Sequence, residues 1–213
     1  MRIGIVSDIH CNAAGLERAL ALMGPVDELV CADDSIYQYR FANEVVALLR
    51  ATGARVVLGN HEEIFLSAAG VRARSAPTVD RALLAWLAAQ PFTWETRVNG
   101  RRLFVVHGSP WEPRYEYLFP SSHALRAFQT FDADYVILGH THYQMARRFG
   151  RVAVINPGST GEPRDPRNGW RLSFAVLDTA ADEVRFCNFP DPTRPYVAPT
   201  EVPAEPEWTV ETL

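Results

Sequence analysis

The chain has few of the features that mark secreted or membrane proteins. Its 213 residues include only three cysteines, Cys11, Cys31 and Cys187, whose odd number and spacing exclude a disulfide framework and a zinc ribbon. No apolar run reaches the roughly 18 residues that a membrane helix requires. The first residues reach a charge at Asp8, which does not fit a signal peptide. These absences predict a cytoplasmic protein with no membrane partner.

Charge of one sign is not concentrated in any segment either. The 21 Lys and Arg residues stand against 25 Asp and Glu, for a net charge of −4 at pH 7. No basic block stands out, which argues against a dedicated nucleic-acid surface. With 47% apolar and 22% charged residues, the composition predicts a folded domain with a substantial core.

Strands and helices alternate in the first third of the chain. The apolar patterns predict short buried strands at 2–7, 27–31 and 54–58, with helices at 13–23 and 41–50 between them. This β-α-β-α-β order predicts a parallel sheet, and the loops after its strands should gather at one edge.

The second part of the chain has a different pattern. Asn99-Gly100 predicts a two-residue hairpin turn between strands at 93–98 and 101–106. Further strands are expected at 135–138, 152–155 and 172–177, and a helix at 121–130. We expect one domain over residues 1–189. A Pro-rich, acidic tail should occupy 190–213 and be ordered only if it packs back on the domain.

Polar residues follow directly after five of the predicted strands. Five of the six histidines lie in these loops, and the candidate functional residues are Asp8, His10, Asp34, Asn60, His61, His107, His140 and His142. Imidazole and carboxylate groups are good ligands for Zn, Mn or Fe, and an amide oxygen can complete such a shell. One Asp-x-His segment alone is more often a surface loop. Repetition at successive strand ends predicts a metal centre.

These residues resemble the ordered motifs of the calcineurin-like metallophosphoesterases. The motifs are Asp8-Ile9-His10, Asp33-Asp34, Gly59-Asn60-His61-Glu62, His107-Gly108 and Gly139-His140-Thr141-His142. The resemblance is closest to small bacterial and archaeal phosphodiesterases, which segments 156–159 and 161–164 also resemble. It implies an α/β fold of four layers, α-β-β-α, in which two mixed β-sheets pack face to face with helices outside.

The resemblance also implies two divalent metal ions, of Mn, Fe, Zn or Ni. One ion would be bound by Asp8, His10, Asp34 and His142, and the other by Asp34, Asn60, His107 and His140. Asp34 would bridge them, while His61 would lie near the leaving group and act as general acid when protonated. Two ions and two carboxylates leave a local charge of about +2, which attracts phosphate, and a bound hydroxide would be the nucleophile.

Two residues keep alternative interpretations. Asp33 stands where the family has glycine, so it either occupies an unusual backbone position or alters metal affinity through its charge. Glu62 either influences His61 or caps the helix that follows.

The predicted function is metal-dependent hydrolysis of a phosphate ester, by a phosphodiesterase or phosphatase acting on a small phosphorylated molecule. The alternatives are a protein or nucleotide phosphatase of the same superfamily and a catalytically silent binding scaffold of this fold. Arg164 is the candidate substrate-binding residue. Other residues that flank the motif loops could line the substrate site: Tyr37, Tyr39, Arg40, Arg114, Tyr115, Tyr117 and Phe119.

Overall fold

The computed structural model describes residues 1–194 and 206–213, whose strands form two mixed β-sheets. The first sheet contains β1 (Arg2–Val6), β2 (Glu28–Cys31), β3 (Arg55–Val56), β9 (Leu172–Asp178), β10 (Glu183–Phe189) and β11 (Glu207–Thr212), in the order β11-β10-β9-β1-β2-β3. The second contains β4 (Thr93–Val98), β5 (Arg101–Val106), β6 (Tyr135–Ile137), β7 (Gln144–Phe149) and β8 (Val152–Pro157), in the order β4-β5-β6-β8-β7.

Parallel pairing at the centre of each sheet brings the functional loops together. In the first sheet β1 pairs in parallel with β2, and β2 with β3, whereas β9 joins β1 antiparallel. In the second sheet β5, β6 and β8 are parallel neighbours, with β4 and β7 antiparallel at the two edges. The carboxyl ends of the parallel strands in each sheet therefore lie at a common edge.

The helices are α1 (Ala13–Met23), α2 (Asn43–Ala51), α3 (Asn60–Leu66), α4 (Val71–Arg74) and α5 (Arg81–Ala88), and 3₁₀ segments cover Ala68–Gly70, His123–Thr130 and Pro166–Asn168. The first helix begins where the Asn12 side chain accepts a hydrogen bond from the Gly15 N–H at 2.8 Å, and ends before Gly24, whose φ is +67°. Asparagine at the N-cap favours the start of a helix, and a glycine with positive φ after the last turn favours its end.

Three apolar layers hold the molecule together. The central layer lies between the sheets and includes Ile3 and Ile5 of β1 and Val105 of β5. Val6, which points to the opposite side of β1, packs into the layer under the helices, and Phe128 packs into the layer on the far side of the second sheet. Strands buried on both faces are expected to be continuously apolar, as residues 3–6 of β1 and 152–155 of β8 are.

The predicted fold class is confirmed, with differences in its details. The hairpin turn occurs at Asn99 and Gly100, whose φ angles of +50° and +77° suit a type I′ turn. The expected helix at 121–130 is a 3₁₀ segment, His123–Thr130, whose Leu125 and Phe128 belong to the apolar layer on the far side of the second sheet. The third strand pairs only over Arg55–Val56. The sequence patterns did not indicate β7 or β10.

The segment predicted as a tail is partly included in the first sheet. Its strand β11 pairs antiparallel with β10 from Glu183↔Thr212 to Asn188↔Glu207. Those residues therefore pack back on the domain, while 195–205, within the predicted tail, lie outside the described residues. No helix in the described ranges is long and apolar enough to span a membrane.

Candidate metal centre

Five of the seven predicted ligands lie in strained loops at the strand ends. Asp8, His10 and Asp34 have φ angles of +50°, +48° and +49°, and His140 and His142 have +68° and +62°. Such angles are uncommon outside glycine, and they cluster at functional sites, where the surrounding structure holds them. Half of the ten described non-glycine residues with positive φ are predicted ligands.

The first set of ligands joins the two sheets. Asp8 and His10 follow β1, His142 follows β6, and their ligand atoms lie within 4.8 Å of one another. Nε2 of His142 is 3.1 Å from Nε2 of His10 and 3.4 Å from Oδ1 of Asp8. All three residues are buried. We call this set the Asp8 group.

The second set has the same construction. Asp34 follows β2, His107 follows β5 and His140 follows β6, again with ligand atoms within 4.8 Å of one another. Nε2 of His107 lies 3.4 Å from Oδ2 of Asp34 and 3.0 Å from Oδ1 of Asn60. Asn60 thereby adds an amide oxygen at the start of α3. We call Asp34, His107 and His140 the Asp34 group.

Asp34 lies between the two groups. It forms a further close cluster with His10, which belongs to the Asp8 group, and with His61. Oδ1 of Asp34 accepts a hydrogen bond from the His61 N–H at 3.2 Å, and its Oδ2 lies 3.8 Å from Nε2 of His61. The structure therefore brings together every residue that the sequence predicted as ligand or general acid.

Hydrogen bonds fix the ring orientation of two histidines. Nδ1 of His142 is 2.7 Å from the Glu162 carbonyl oxygen, and Nδ1 of His107 is 3.3 Å from the Ala32 carbonyl oxygen. Each ring then directs Nε2 into its group, which is the arrangement that metal-binding histidines commonly use.

His61 is oriented by a different contact. Its Nδ1 accepts a hydrogen bond from the Gln38 N–H at 3.1 Å. The hydrogen of the neutral ring is therefore on Nε2, the atom that faces Asp34.

The buried histidines of the two groups differ in their pKa values. Burial lowers the pKa of His10 to about 2, and burial with the charge on His107 lowers the pKa of His140 to about 3. Burial also acts to lower the pKa of His107, but the carboxylates of Asp34 and Asp8 outweigh it and raise that pKa to about 9. Neutral imidazole is the form that binds metal, so His10 and His140 are ready for a cation, whereas His107 must first lose a proton.

An orphaned nitrogen supports the fit of a cation. Nε2 of His140 is buried and has no hydrogen-bond partner among the described residues. A buried polar atom of this kind is costly unless something binds it. Because His140 belongs to a cluster of imidazole and carboxylate groups, the donor set suits a divalent ion such as Zn, Mn or Fe.

Asp33 occupies the unusual backbone position expected of a residue in place of glycine. Its φ is +93° and its side chain is fully buried. The carboxylate lies against Gly59, where an added Cβ would be only 1.5 Å from Oδ2 of Asp33, so Gly59 leaves room for this side chain. Burial, with the charge on Glu62, raises the pKa of Asp33 well above its usual range.

Glu62 links the loop after β2 to the start of α3 by hydrogen bonds. Its Oε1 accepts hydrogen bonds from the Ser35 hydroxyl at 2.7 Å and the Ile36 N–H at 3.0 Å, and its Oε2 accepts the Gly59 N–H at 3.4 Å. The last of these bonds caps α3, which favours the capping interpretation.

Asn156 is a supporting residue to which sequence reasoning gave no role. Its side-chain amide donates to the Gly139 carbonyl at 2.7 Å and to the Thr141 hydroxyl at 3.1 Å. It therefore holds the loop that carries His140 and His142. Its place in a segment that resembles the small phosphodiesterases was the available signal.

Several residues expected to line the site do lie beside it. Tyr37 stacks on His10 with ring centroids 4.7 Å apart, and Tyr117 stacks on His140 at 3.7 Å. Arg164 pairs with Glu162 at 3.0 Å, and the same Glu162 oxygen is 3.6 Å from Nε2 of His10. Arg114 and Tyr115 instead both bond to Glu63 of α3.

Comparison with known proteins agrees with this geometry. A sequence profile of the calcineurin-like phosphoesterase superfamily domain matches residues 1–182. The chain belongs to the calcineurin-like phosphoesterase superfamily. It is therefore a phosphoric ester hydrolase of a superfamily that uses divalent metal ions, which confirms the predicted family and enzyme class.

Individual relatives span most of the chain. Phosphodiesterase YfcE of Escherichia coli K12 is 27% identical over 180 residues, covering 84% of this chain and 88% of its own length. Protein MJ0912 of Methanocaldococcus jannaschii is 25% identical over 205 residues, covering 83% and 82%. The crystal structure of a metallophosphoesterase from Sphaerobacter thermophilus superposes with a TM-score of 0.69 at 28% identity, covering 87% of each chain.

Proposed function

We propose that this calcineurin-like phosphoesterase hydrolyses phosphodiesters of small molecules with two divalent ions held by the Asp8 and Asp34 groups. The observation that carries the proposal is the position of Asp34, whose carboxylate lies among ligand atoms of both groups. The similarity to a relative named phosphodiesterase favours diesters over monoesters. A small substrate is consistent with a chain that has few structural elements beyond its two sheets and their helices with which to bind a larger one.

Each residue then has a distinct task. Asp8, His10 and His142 would hold one ion, with Asp34 shared. Asn60, His107 and His140 would hold the other. Such a pair of ions supplies an activated water as nucleophile and neutralises charge that develops on the phosphoryl oxygens. Because the two carboxylates only partly cancel the ions, the site would attract phosphate despite the net charge of −4.

His61 would act on the leaving group. Its Nε2 carries the ring hydrogen and faces the space beside Asp34, so it would donate a hydrogen bond to the oxygen that leaves. To transfer a proton as general acid, the ring would first be protonated on Nδ1, which would displace the Gln38 N–H. Arg164, whose side chain is about half exposed beside His10, would contact the phosphate from the solvent side.

Metal-dependent kinetics test the proposal. Purified protein treated with a chelator should lose hydrolysis of bis(p-nitrophenyl) phosphate and regain it with Mn²⁺, Ni²⁺ or Zn²⁺. Turnover of p-nitrophenyl phosphate should be slower. Hydrolysis that resists the chelator would contradict the metal mechanism. Absence of hydrolysis with all three metals would favour a binding scaffold, and faster monoester turnover would favour a phosphatase.

A further inference from the structure

A cavity of about 460 Å³ adjoins the metal centre on one side. His10 and Tyr37 form the wall nearest the centre, and Arg40, Asp191 and Arg194 are the other charged or aromatic residues in its lining. Its volume falls in the range of about 300–1,000 Å³ that small-molecule sites occupy. None of the tasks proposed above uses this cavity.

The wall of the cavity that His10 and Tyr37 form lies beside His61. His10 belongs both to the Asp8 group and to the cavity wall. The ring of Tyr37 stacks on His10 and lies 5.5 Å from the ring of His61. A substrate whose phosphate is bound at the ions and whose leaving oxygen faces His61 would therefore extend its alcohol portion towards this space.

The lining of the cavity is positively charged. Arg40 lies over the Tyr37 ring, with 4.9 Å from Cζ to the centroid, and donates to the His10 carbonyl at 3.2 Å. Arg194 is mostly exposed, and its Nε lies 3.5 Å from Asp191. The lining therefore contains two guanidinium groups and one carboxylate, which leaves a net positive charge for a ligand.

One oxygen of the Asp191 carboxylate is engaged in building the wall, whereas its Oδ2 is buried, accepts no hydrogen bond from the described residues and lies 3.5 Å from Nε of Arg194. Oδ1 of Asp191 accepts hydrogen bonds from the Asn12 amide at 3.1 Å and from the N–H and hydroxyl of Thr193 at 2.9 and 2.8 Å. Ala13 and Ala14, the first residues of α1, also line the cavity, and the first turn of that helix has no acidic residue. The positive end of the helix dipole adds to the field of the arginines.

We propose that the cavity binds the alcohol portion of the phosphoester, and that this portion carries an anionic group held by Arg40 and Arg194. Arginine presents a planar set of N–H donors that matches a carboxylate or phosphate, and Ala13 and Ala14 add apolar surface to the lining for the carbon skeleton between the two anionic ends. The inference rests on the proposed function and narrows its substrates to esters with a second negative charge.

A pair of matched probes tests the inference by binding. Calorimetry on Mn²⁺-loaded protein would compare 3-phosphoglycerate with glycerol 3-phosphate, which differ only by a carboxylate in place of a hydroxymethyl group. Both are monoesters that keep the phosphate and one alcohol portion of a diester, so they report on this part of the site alone. We expect 3-phosphoglycerate to bind about tenfold more tightly, as one charge-assisted hydrogen bond would produce. Arg194→Gln and Arg40→Gln should each reduce that preference to about threefold or less, and Arg194→Lys should retain part of it.

Arg50→Gln is the matched control, because Arg50 lines a separate cavity near β3. It should leave the tenfold preference unchanged. Equal affinities in the wild type, failure of both probes to bind, or a preference that survives Arg194→Gln and Arg40→Gln would overturn the inference. A titration with Mn²⁺ before the calorimetry distinguishes failure of the proposed function from failure of this inference. If no Mn²⁺ binds, the proposed function fails and the inference fails with it, whereas Mn²⁺ binding without the preference contradicts the inference alone.

Discussion

The two sheets supply different kinds of ligand to the candidate centre. Loops of the first sheet provide every oxygen ligand, from Asp8, Asp34 and Asn60, together with His10. Loops of the second sheet provide only imidazole groups, from His107, His140 and His142. The negative charge of the candidate centre therefore comes from one sheet, and the other would complete the two groups with imidazole ligands.

This difference shows why the centre depends on how the sheets pack. Neither group lies within a single sheet, because each combines a carboxylate from the first with imidazole from the second. The central apolar layer, with Ile5 on one side and Val105 on the other, therefore sets the distance between the two sets of ligands. Three substitutions test what each sheet contributes to metal binding and turnover, and they are ordered by the number of ions that each should remove. A fourth prediction concerns the pH dependence of metal binding.

Replacing the shared ligand of the first sheet should have the largest effect. We expect Asp34→Ala to abolish binding of both ions and to reduce hydrolysis to background, because the carboxylate contacts both groups. Metal content after gel filtration would measure this. Asp165→Asn, which alters a buried carboxylate outside both groups, is the control and should keep two ions. Retention of two ions by Asp34→Ala would refute the bridging assignment.

Removing one imidazole of the second sheet should cost one ion. His142 belongs only to the Asp8 group, so His142→Ala should leave one equivalent of Mn²⁺, held by the Asp34 group. Titration calorimetry would count the sites. Loss of both ions would mean that the groups are not separable, and loss of neither would remove His142 from the ligand set.

Changing His61 should remove no ion. His61→Ala should keep both equivalents of metal and lower turnover by about 10²–10⁴-fold, the usual contribution of a general acid. An ester with a good leaving group should be affected less than an alkyl ester, because it needs less protonation. An unchanged rate, or loss of metal, would show that His61 has a different role.

The two groups should also differ in their response to pH. The pKa of His107 is raised to about 9, whereas that of His10 is lowered to about 2. A metal must displace the proton of His107, so affinity at the Asp34 group should rise with pH up to about 9, by at most about tenfold per unit. His10 requires no such release above pH 2. Mn²⁺ titrations of His142→Ala, which isolates the Asp34 group, should show this slope, and a flat profile between pH 6.5 and 8.5 would contradict it.

Much of this centre could be predicted from sequence, because ligand type and strand ends are local properties. The loops after β1, β2, β5 and β6 carry their residues directly after apolar runs, and parallel pairing then brings them together. The hairpin at Asn99 and Gly100 was predictable for the same reason, since its backbone preference is local.

The features that were not predicted depend on distant contacts. Strands β7 and β10 have mixed burial patterns, and their pairing depends on neighbours that local periodicity does not reveal. The cavity beside His10 places Arg194 near Asn12, which precedes it by 182 positions, and Asp191 joins the two. No spacing rule links residues so far apart, so a segment predicted as tail became part of a candidate site.

The most direct test of the account is to locate the ions in crystals of the Mn²⁺-loaded protein by anomalous scattering. The account predicts two peaks about 3.5–4 Å apart, the spacing usual in two-metal sites, with Asp34 bound to both and ligands from both sheets at each. A single peak, or two peaks of which one lacks Asp34, would contradict it.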